Sequence, residues 1–246
     1  MSGLRALLAC LLVSLGAAGC GGGAGKAKTT GAKAKTTATT ASRQAKPAAK
    51  PKPKPGVCTK VAAPKPKGPA HLPKPTLTLD AKHIYAAAVA TNCGTFTIAL
   101  DVKRAPKTTA SFVYLARKGF YDNLTFQRIV RGFVIQGGDP TGSGQGGPGY
   151  AVVEAPPRSL RYTRGVVAMA KTEIEDPGTS GSQFYVVTGP VAQLPPDYAL
   201  VGKVSGGQDV VDSIGVQPTD TNPTARQPDK PLSPVVIRSV TIAERK

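Results

Sequence analysis

Phe126-Gln127-Arg128-Ile129-Val130-Arg131-Gly132-Phe133-Val134-Ile135-Gln136-Gly137-Gly138-Asp139 decides how the rest of this chain folds. It reads as two strands, Thr125 to Val130 and Phe133 to Gly137, adjoining through Arg131-Gly132. In a period-2 strand Phe126, Arg128 and Val130 share one face, while Phe133, Ile135 and Gly137 oppose Val134, Gln136 and Gly138. Arg128 thus sits among apolar neighbours. An arginine so placed is a structural ion-pair member, a snorkelling edge residue or a working group.

Outward from this stretch, six more runs read as strands: His83 to Thr91, Thr95 to Asp101, Val166 to Lys171, Gln183 to Thr188, Ala199 to Val204 and Val235 to Ile242. The first two are joined through Asn92-Cys93-Gly94, and Phe96, Ile98 and Leu100 alternate with polar neighbours as a half-buried hairpin requires. Pro106 to Lys118 is the strongest helical pattern, with Pro106 in the first turn, Phe112, Leu115 and Ala116 at helical spacing, and Gly119 as the stop. A second, shorter helix is expected at Gln208 to Ile214. Many short strands with Gly and Pro between them and only two helices predict an all-β-dominated domain over 76–246, an eight-stranded closed antiparallel barrel capped by the helices.

The chain has 246 residues, with 32 Lys plus Arg against 14 Asp plus Glu and a net charge of +18. The excess is not in the domain: 21–75 carries 13 basic residues and no acid, so 76–246 is only about +4. A nucleic-acid binder carries its positive field on a folded face, so nucleic acid is not an expected partner. The 21–75 stretch, nearly all Ala, Lys, Thr, Pro and Gly, cannot bury enough apolar area to offset chain entropy and reads as a disordered tether, extended where Lys-Pro repeats run. Its charge suits weak contact with anionic wall polymers or lipids.

Ahead of the tether, Ala6 to Ala18 is an apolar run too short to span a membrane, following one positive charge at Arg5. Residues 1–20 therefore read as an export signal. Its end, Ala17-Ala18-Gly19-Cys20, resembles the cleavage site of bacterial lipoprotein signal peptides, which implies a lipid on Cys20 and anchoring at the outer face of the cytoplasmic membrane. Ala17 stands where such sites usually carry Leu, which leaves ordinary cleavage and free secretion as the alternative. Cys58 and Cys93 then remain, a disulfide candidate in an oxidising compartment or else two free thiols. No metal is expected, because no paired Cys-x-x-Cys occurs and His71 and His83 stand alone.

Other signatures fall away. Gly142 to Gly147 fits G-x-G-x-x-G, but Pro148-Gly149 follows where a dinucleotide site needs a helix N-terminus, so no cofactor is expected. No G-x-S-x-G elbow exists, and both His lie at the front edge of the domain. Glu173, Glu175 and Asp176 read as a solvated charge run.

Three blocks in order carry a resemblance: Phe126-x-Arg128-Ile129-Val130-x-Gly132 through Asp139, then Gly181-Ser182-Gln183-Phe184-Tyr185, then Val201-Gly202-Lys203-Val204. Over roughly Ile84 to Ile242 the chain is similar to the cyclophilin family of peptidyl-prolyl cis-trans isomerases, in an exported bacterial form. The resemblance implies the eight-stranded barrel with two helices, and Arg128 as the catalytic arginine. Phe133 and Val134 then wall a proline pocket, with Gln136 and Gln183 holding substrate backbone and orienting the arginine. Ala170 and Lys171 match the segment contacting the residue before proline, where the family usually has Ala-Asn. Tyr185 replaces a floor Phe, Leu194 matches an apolar wall, and Tyr198 stands where a pocket His is common.

The chemistry follows from the residues as well. Rotation about an X-Pro bond faces a barrier of about 18–20 kcal/mol from amide resonance, and no bond breaks. A catalyst need only prefer the twisted amide, whose nitrogen regains its lone pair; an always-protonated guanidinium can donate there without a general base. The expected function is isomerisation of X-Pro bonds in proline-containing exported polypeptides by a monomer, with a proline-peptide binding module of little turnover as the alternative.

Overall fold

Asn92-Cys93-Gly94 turns the chain between the first two long strands, and the alternation of Phe96, Ile98 and Leu100 sends one face of the second into the core. The computed structural model describes residues 57–225 and 227–246. Strand β1 (Ile84–Thr91) pairs antiparallel with β2 (Gly94–Leu100). Helix α1 (Pro106–Arg117) is followed by β3 (Leu124–Thr125), β4 (Arg128–Val130), β5 (Val134–Gly137), β6 (Val152–Val153), β7 (Tyr162–Thr163) and β8 (Val166–Met169). Then come β9 (Thr179–Ser180), β10 (Phe184–Val187), β11 (Val191–Ala192), β12 (Leu200–Gly206), helix α2 (Gln208–Gly215) and β13 (Val236–Arg245).

Nine of these strands form one sheet in the order β3-β13-β1-β2-β12-β8-β10-β5-β4, and β7 with β11 and β6 with β9 form two small ribbons. The expected closed eight-stranded barrel is corrected: the sheet is a curled half-barrel with edges at β3 and β4. The cause lies at Phe126-Gln127, where the single strand expected over Thr125 to Val130 breaks. Its first piece pairs with β13, Thr125 opposite Val236, and its second with β5, Arg128 opposite Gln136. The two edges are consecutive in the chain, so covalent continuity does there what a closing ladder would do.

The break also resets side-chain parity. Phe126 and Ile129 are both buried in the core, and Arg128, next to Ile129, faces the other way. The expected common face for Phe126 and Arg128 is therefore corrected, and this reversal is what brings the guanidinium outside the barrel core.

Two apolar clusters lie on opposite faces of the sheet. The inner one packs Phe96, Ile98, Ile129, Ile135, Val167 and Phe184 against the buried face of α1, including Phe112 and Leu115. The outer one gathers Val134, Tyr162, Val166, Ala168, Tyr185, Val187 and Leu200. α1 has no capping side chain of its own; Glu154 supplies one, accepting from Lys107 N–H at 3.1 Å and Thr108 N–H at 2.8 Å and placing negative charge at the positive helix end.

Of the segment expected as a tether over 21–75, the described part, 57–75, lies along the domain. Cys58 and Cys93 are joined as a disulfide. Beside it, Thr59 N–H donates to Asn92 O at 2.9 Å and Asn92 Nδ2 donates to Thr59 O at 2.7 Å. Further on, Lys67 N–H donates to Pro140 O and Leu72 N–H to Pro148 O, both at 2.8 Å, while Ala70 and Leu72 pack against the core. Lys67 Nζ donates to Phe120 O at 2.9 Å, and burial lowers its pKa. Isolated apolar residues and main-chain hydrogen bonds hold this strap, which is why hydrophobic periodicity did not reveal it. The export signal, Cys20 and 21–56 lie outside the described residues. No described helix is long and apolar enough to cross a membrane.

Candidate active site

Cross-strand register builds the site as a row over the outer face of the sheet. Arg128 lies opposite Gln136, Gln136 opposite Tyr185, Tyr185 opposite Ala168 and Ala168 opposite Leu200. A parallel row sets Val130 opposite Val134 and Val134 opposite Val187. Side chains directly opposite on one face stand close enough to make a continuous surface. The outer apolar cluster thus runs as far as Tyr185, and Gln136 stands between it and the guanidinium.

Where it ends, a slot of about 150 Å³ opens, lined by Arg128, Phe133, Val134, Gln136, Ala170, Lys171, Tyr185, Leu194 and Tyr198. Gln183 lies just beyond, in a groove of about 400 Å³ that shares Gln136, Ala170 and Lys171 with the slot. All ten residues singled out for catalysis or substrate binding are therefore gathered around one slot and its adjoining groove. A larger recess of about 630 Å³ lies between the strap and the segment before β13, lined by Pro64, Pro66, Gln127 and Pro234 among others. The smaller slot is the candidate on chemistry, because it joins apolar walls to a fixed cation.

Gln183 is the hub beside the slot. Its Nε2 donates to Gly144 O at 3.0 Å and Gly146 O at 2.9 Å, so its Oε1 must accept, and it does so from Gln127 Nε2 at 2.8 Å and Gln136 Nε2 at 3.0 Å. Turning the Gln127 amide over would let it donate to Thr125 O and Gln136 O, but would set two amide oxygens 2.8 Å apart. The commitment of Gln183 Nε2 to two carbonyls excludes that orientation.

The carbonyls that fix Gln183 belong to the glycine-rich loop, and Asp139 folds that loop. Its buried carboxylate accepts from Thr141 N–H at 2.7 Å, Thr141 Oγ1 at 2.8 Å and Gly144 N–H. Gly138 leads into it at φ +90°, and a Cβ there would lie 2.5 Å from Ser182 O, so this approach of backbone to backbone needs glycine.

Arg128 has Asp229 as its charged partner: Nε lies 3.5 Å from Asp229 Oδ2, with both side chains partly exposed. No hydrogen bond joins Arg128 to Gln136 or Gln183 in this arrangement. Lys171 Nζ donates to Thr172 O and Glu175 O, both at 3.0 Å, and sits 5.5 Å from the centre of the Tyr198 ring. Tyr162 Oη donates to Tyr198 O at 2.7 Å and accepts from Tyr198 N–H at 3.0 Å, which holds the tyrosine edge of the slot. Burial pushes the Tyr162 hydroxyl up to about 12. Tyr185 is raised further by burial, and its hydroxyl is buried without a partner among the described residues.

Sequence reasoning missed Gln127, Asp139 and Asp229. In the sequence Gln127 shows only as a strand residue and Asp139 only as the end of a motif. Asp229 lies 101 positions from Arg128 in a segment with no periodic pattern.

The comparisons bear on family and fold. A sequence model described as "Cyclophilin type peptidyl-prolyl cis-trans isomerase/CLD" matches residues 86–242. Peptidyl-prolyl cis-trans isomerase A of Mycobacterium tuberculosis is 39% identical over 175 residues, 64% of this chain and 91% of the relative. Peptidyl-prolyl cis-trans isomerase B of Streptomyces anulatus is 39% identical over 183 residues, 67% of this chain and 99% of the relative. The crystal structure of a cyclophilin-type isomerase from Cryptosporidium parvum superposes with a TM-score of 0.59 at 30% identity, covering 65% of this chain and 98% of that one. A structure of that protein in the presence of the dipeptide Ala-Pro superposes at 0.58. The family match spans more than half of the sequence and takes in the whole Arg128 row, so the chain belongs to the cyclophilin-type peptidyl-prolyl cis-trans isomerases.

Proposed function

We propose that this isomerase is exported and turns over X-Pro bonds of polypeptides outside the cytoplasm, with Arg128 as the catalytic residue and a lipid on Cys20 as its anchor. The observation that carries the catalytic part is the slot itself, where a guanidinium stands at the rim of a pocket walled by Phe133, Val134, Tyr185 and Leu194. The apolar walls suit a pyrrolidine ring, and the presence of Ala-Pro with the C. parvum relative supports a proline-containing ligand. The anchoring part rests on Arg5, the apolar run 6–18 and Cys20.

In this reading the ring is clamped while the acyl side rotates, and Gln136 holds the flanking backbone. Gln183, expected to bind substrate backbone as well, has both amide hydrogens and both oxygen lone pairs already paired within the protein and instead holds Gln136 in place. As resonance is lost the proline nitrogen becomes pyramidal, and Arg128 donates to it or to the neighbouring carbonyl. A charge-assisted hydrogen bond of about 1.5–3 kcal/mol accelerates rotation roughly ten- to 150-fold. The remainder comes from holding the ring and backbone in place.

Protease-coupled isomerisation of an Ala-Pro peptide by the full chain and by Arg128→Ala tests the catalytic part. Turnover lost in the variant supports it; binding of the peptide with no turnover in the parent favours a proline-peptide binding module. For the anchor, palmitate labelling and membrane fractionation of the parent and Cys20→Ala in an exporting bacterium should show label and membrane retention only in the parent. Release of the unlabelled parent into the medium would favour free secretion.

A further inference from the structure

We infer that Asp229 is a positioning residue for isomerisation, holding the Arg128 guanidinium by its Nε side so that the terminal amino groups are left to the slot. The inference rests on the reading of Arg128 as the catalytic residue and adds a residue that neither the motif blocks nor the strand pattern points to.

Asp229 is held in place independently of Arg128. Its N–H donates to Asp220 O at 2.8 Å, and its own carbonyl accepts Ile129 N–H at 2.9 Å, on the residue next to the arginine. Asp220 N–H donates in turn to Lys230 O at 2.8 Å, Leu232 N–H to Pro218 O at 2.9 Å, and Thr219 bridges Pro231, so the excursion between α2 and β13 is closed on itself. Its backbone is therefore pinned to the strand that carries Arg128, at the break where the ladder is interrupted. The side chain projects from this anchor to within 3.5 Å of Nε.

Asp229 adopts φ +65°, a left-handed conformation that most residues avoid and that Asn, Asp and Gly tolerate. The strain accompanies a backbone that must both receive Ile129 N–H and return the chain to Asp220. A flexible arginine side chain at a sheet edge loses rotamer freedom when it reaches for substrate, and a carboxylate on its Nε removes part of that loss in advance. Nε is also the guanidinium nitrogen nearest the side-chain stem, so an anion there leaves the outer amino groups unoccupied.

The test uses the full chain and four variants. Asp229→Gly suits the left-handed backbone and removes the carboxylate; Asp229→Asn keeps the conformation and an oxygen acceptor; Arg128→Ala, alone and combined with Asp229→Gly, closes a double-mutant cycle. Exchange NMR on an Ala-Pro peptide gives kcat and peptide affinity separately, and thermal melting reports folding. Asp229→Gly should lower kcat roughly three- to tenfold, short of the ~100-fold that a 1 Å misplacement can cost, with affinity changed less than about twofold. Asp229→Asn should recover more than half of the loss, and adding Asp229→Gly to Arg128→Ala should cost nothing further. Parent-like kcat in Asp229→Gly, or a loss that repeats in full on the Arg128→Ala background, overturns the inference while leaving the reading of Arg128 intact. A parent chain without turnover overturns both.

Discussion

Gln136 Nε2 donates to Gln183 Oε1 at 3.0 Å, tying a residue of the slot to one whose own amide is fixed by two carbonyls of the glycine-rich loop. The position of the slot's polar wall is therefore set from behind by Asp139, which folds that loop.

Gln183→Ala leaves Gly144 O, Gly146 O and the Gln127 and Gln136 amides without this partner. Because the site is only half buried, water replaces part of the loss, and a stability decrease of about 1–3 kcal/mol is expected. Turnover should fall about tenfold as the backbone-holding groups drift. Urea unfolding and the coupled isomerisation assay check the two figures; parent-like values in both would remove Gln183 as the hub.

The Cys58–Cys93 bond closes a loop across 35 positions. On chain-entropy grounds, Cys58→Ser should cost about 3–4 kcal/mol. It should also raise amide exchange at Thr59 and Asn92, which pair beside the bond. Unchanged protection there would mean that the strap is held by its other contacts alone.

The Tyr185 hydroxyl is buried with no hydrogen-bond partner among the described residues. Tyr185→Phe removes that desolvated group without opening a cavity of ring size, so stability should rise by about 1 kcal/mol. A drop in the unfolding midpoint would show that the hydroxyl has a partner in solution.

Tyr162 keeps its proton to about pH 12 in the fold, against an ordinary value of 10.0, chiefly because it is buried. Between those values the unfolded chain binds fewer protons than the folded one, so stability present below pH 10 is lost as pH rises toward 12. Tyr162→Phe should lower stability at neutral pH, since Tyr198 loses both backbone bonds, and should flatten the alkaline decline. Denaturant midpoints from pH 8 to 11.5 measure the slope; an equal slope in the variant would contradict the assignment.

Much of the site was legible because its residues come from short motifs with period-2 spacing. Gln136 and Tyr185 sit where alternation puts them, on the face opposite Ile135 and Phe184. The half-barrel was not legible, because its cause is a two-residue departure at Phe126-Gln127 inside a run that alternates well enough to read as one strand. That departure also concealed why Arg128 faces outward. Asp229 and the strap escaped for a related reason: both are held by backbone hydrogen bonds, which leave no hydrophobic period in the sequence.

The central claim is that the Arg128 guanidinium, at the rim of an apolar slot, lowers the barrier to proline rotation. Exchange NMR of an Ala-Pro peptide under saturating full chain, compared with Arg128→Ala and Arg128→Lys, measures it most directly. The account predicts kcat reduced about ten- to 150-fold in Arg128→Ala, with little recovery in Arg128→Lys, whose point charge lacks the planar fork. Equal kcat in all three proteins would contradict it.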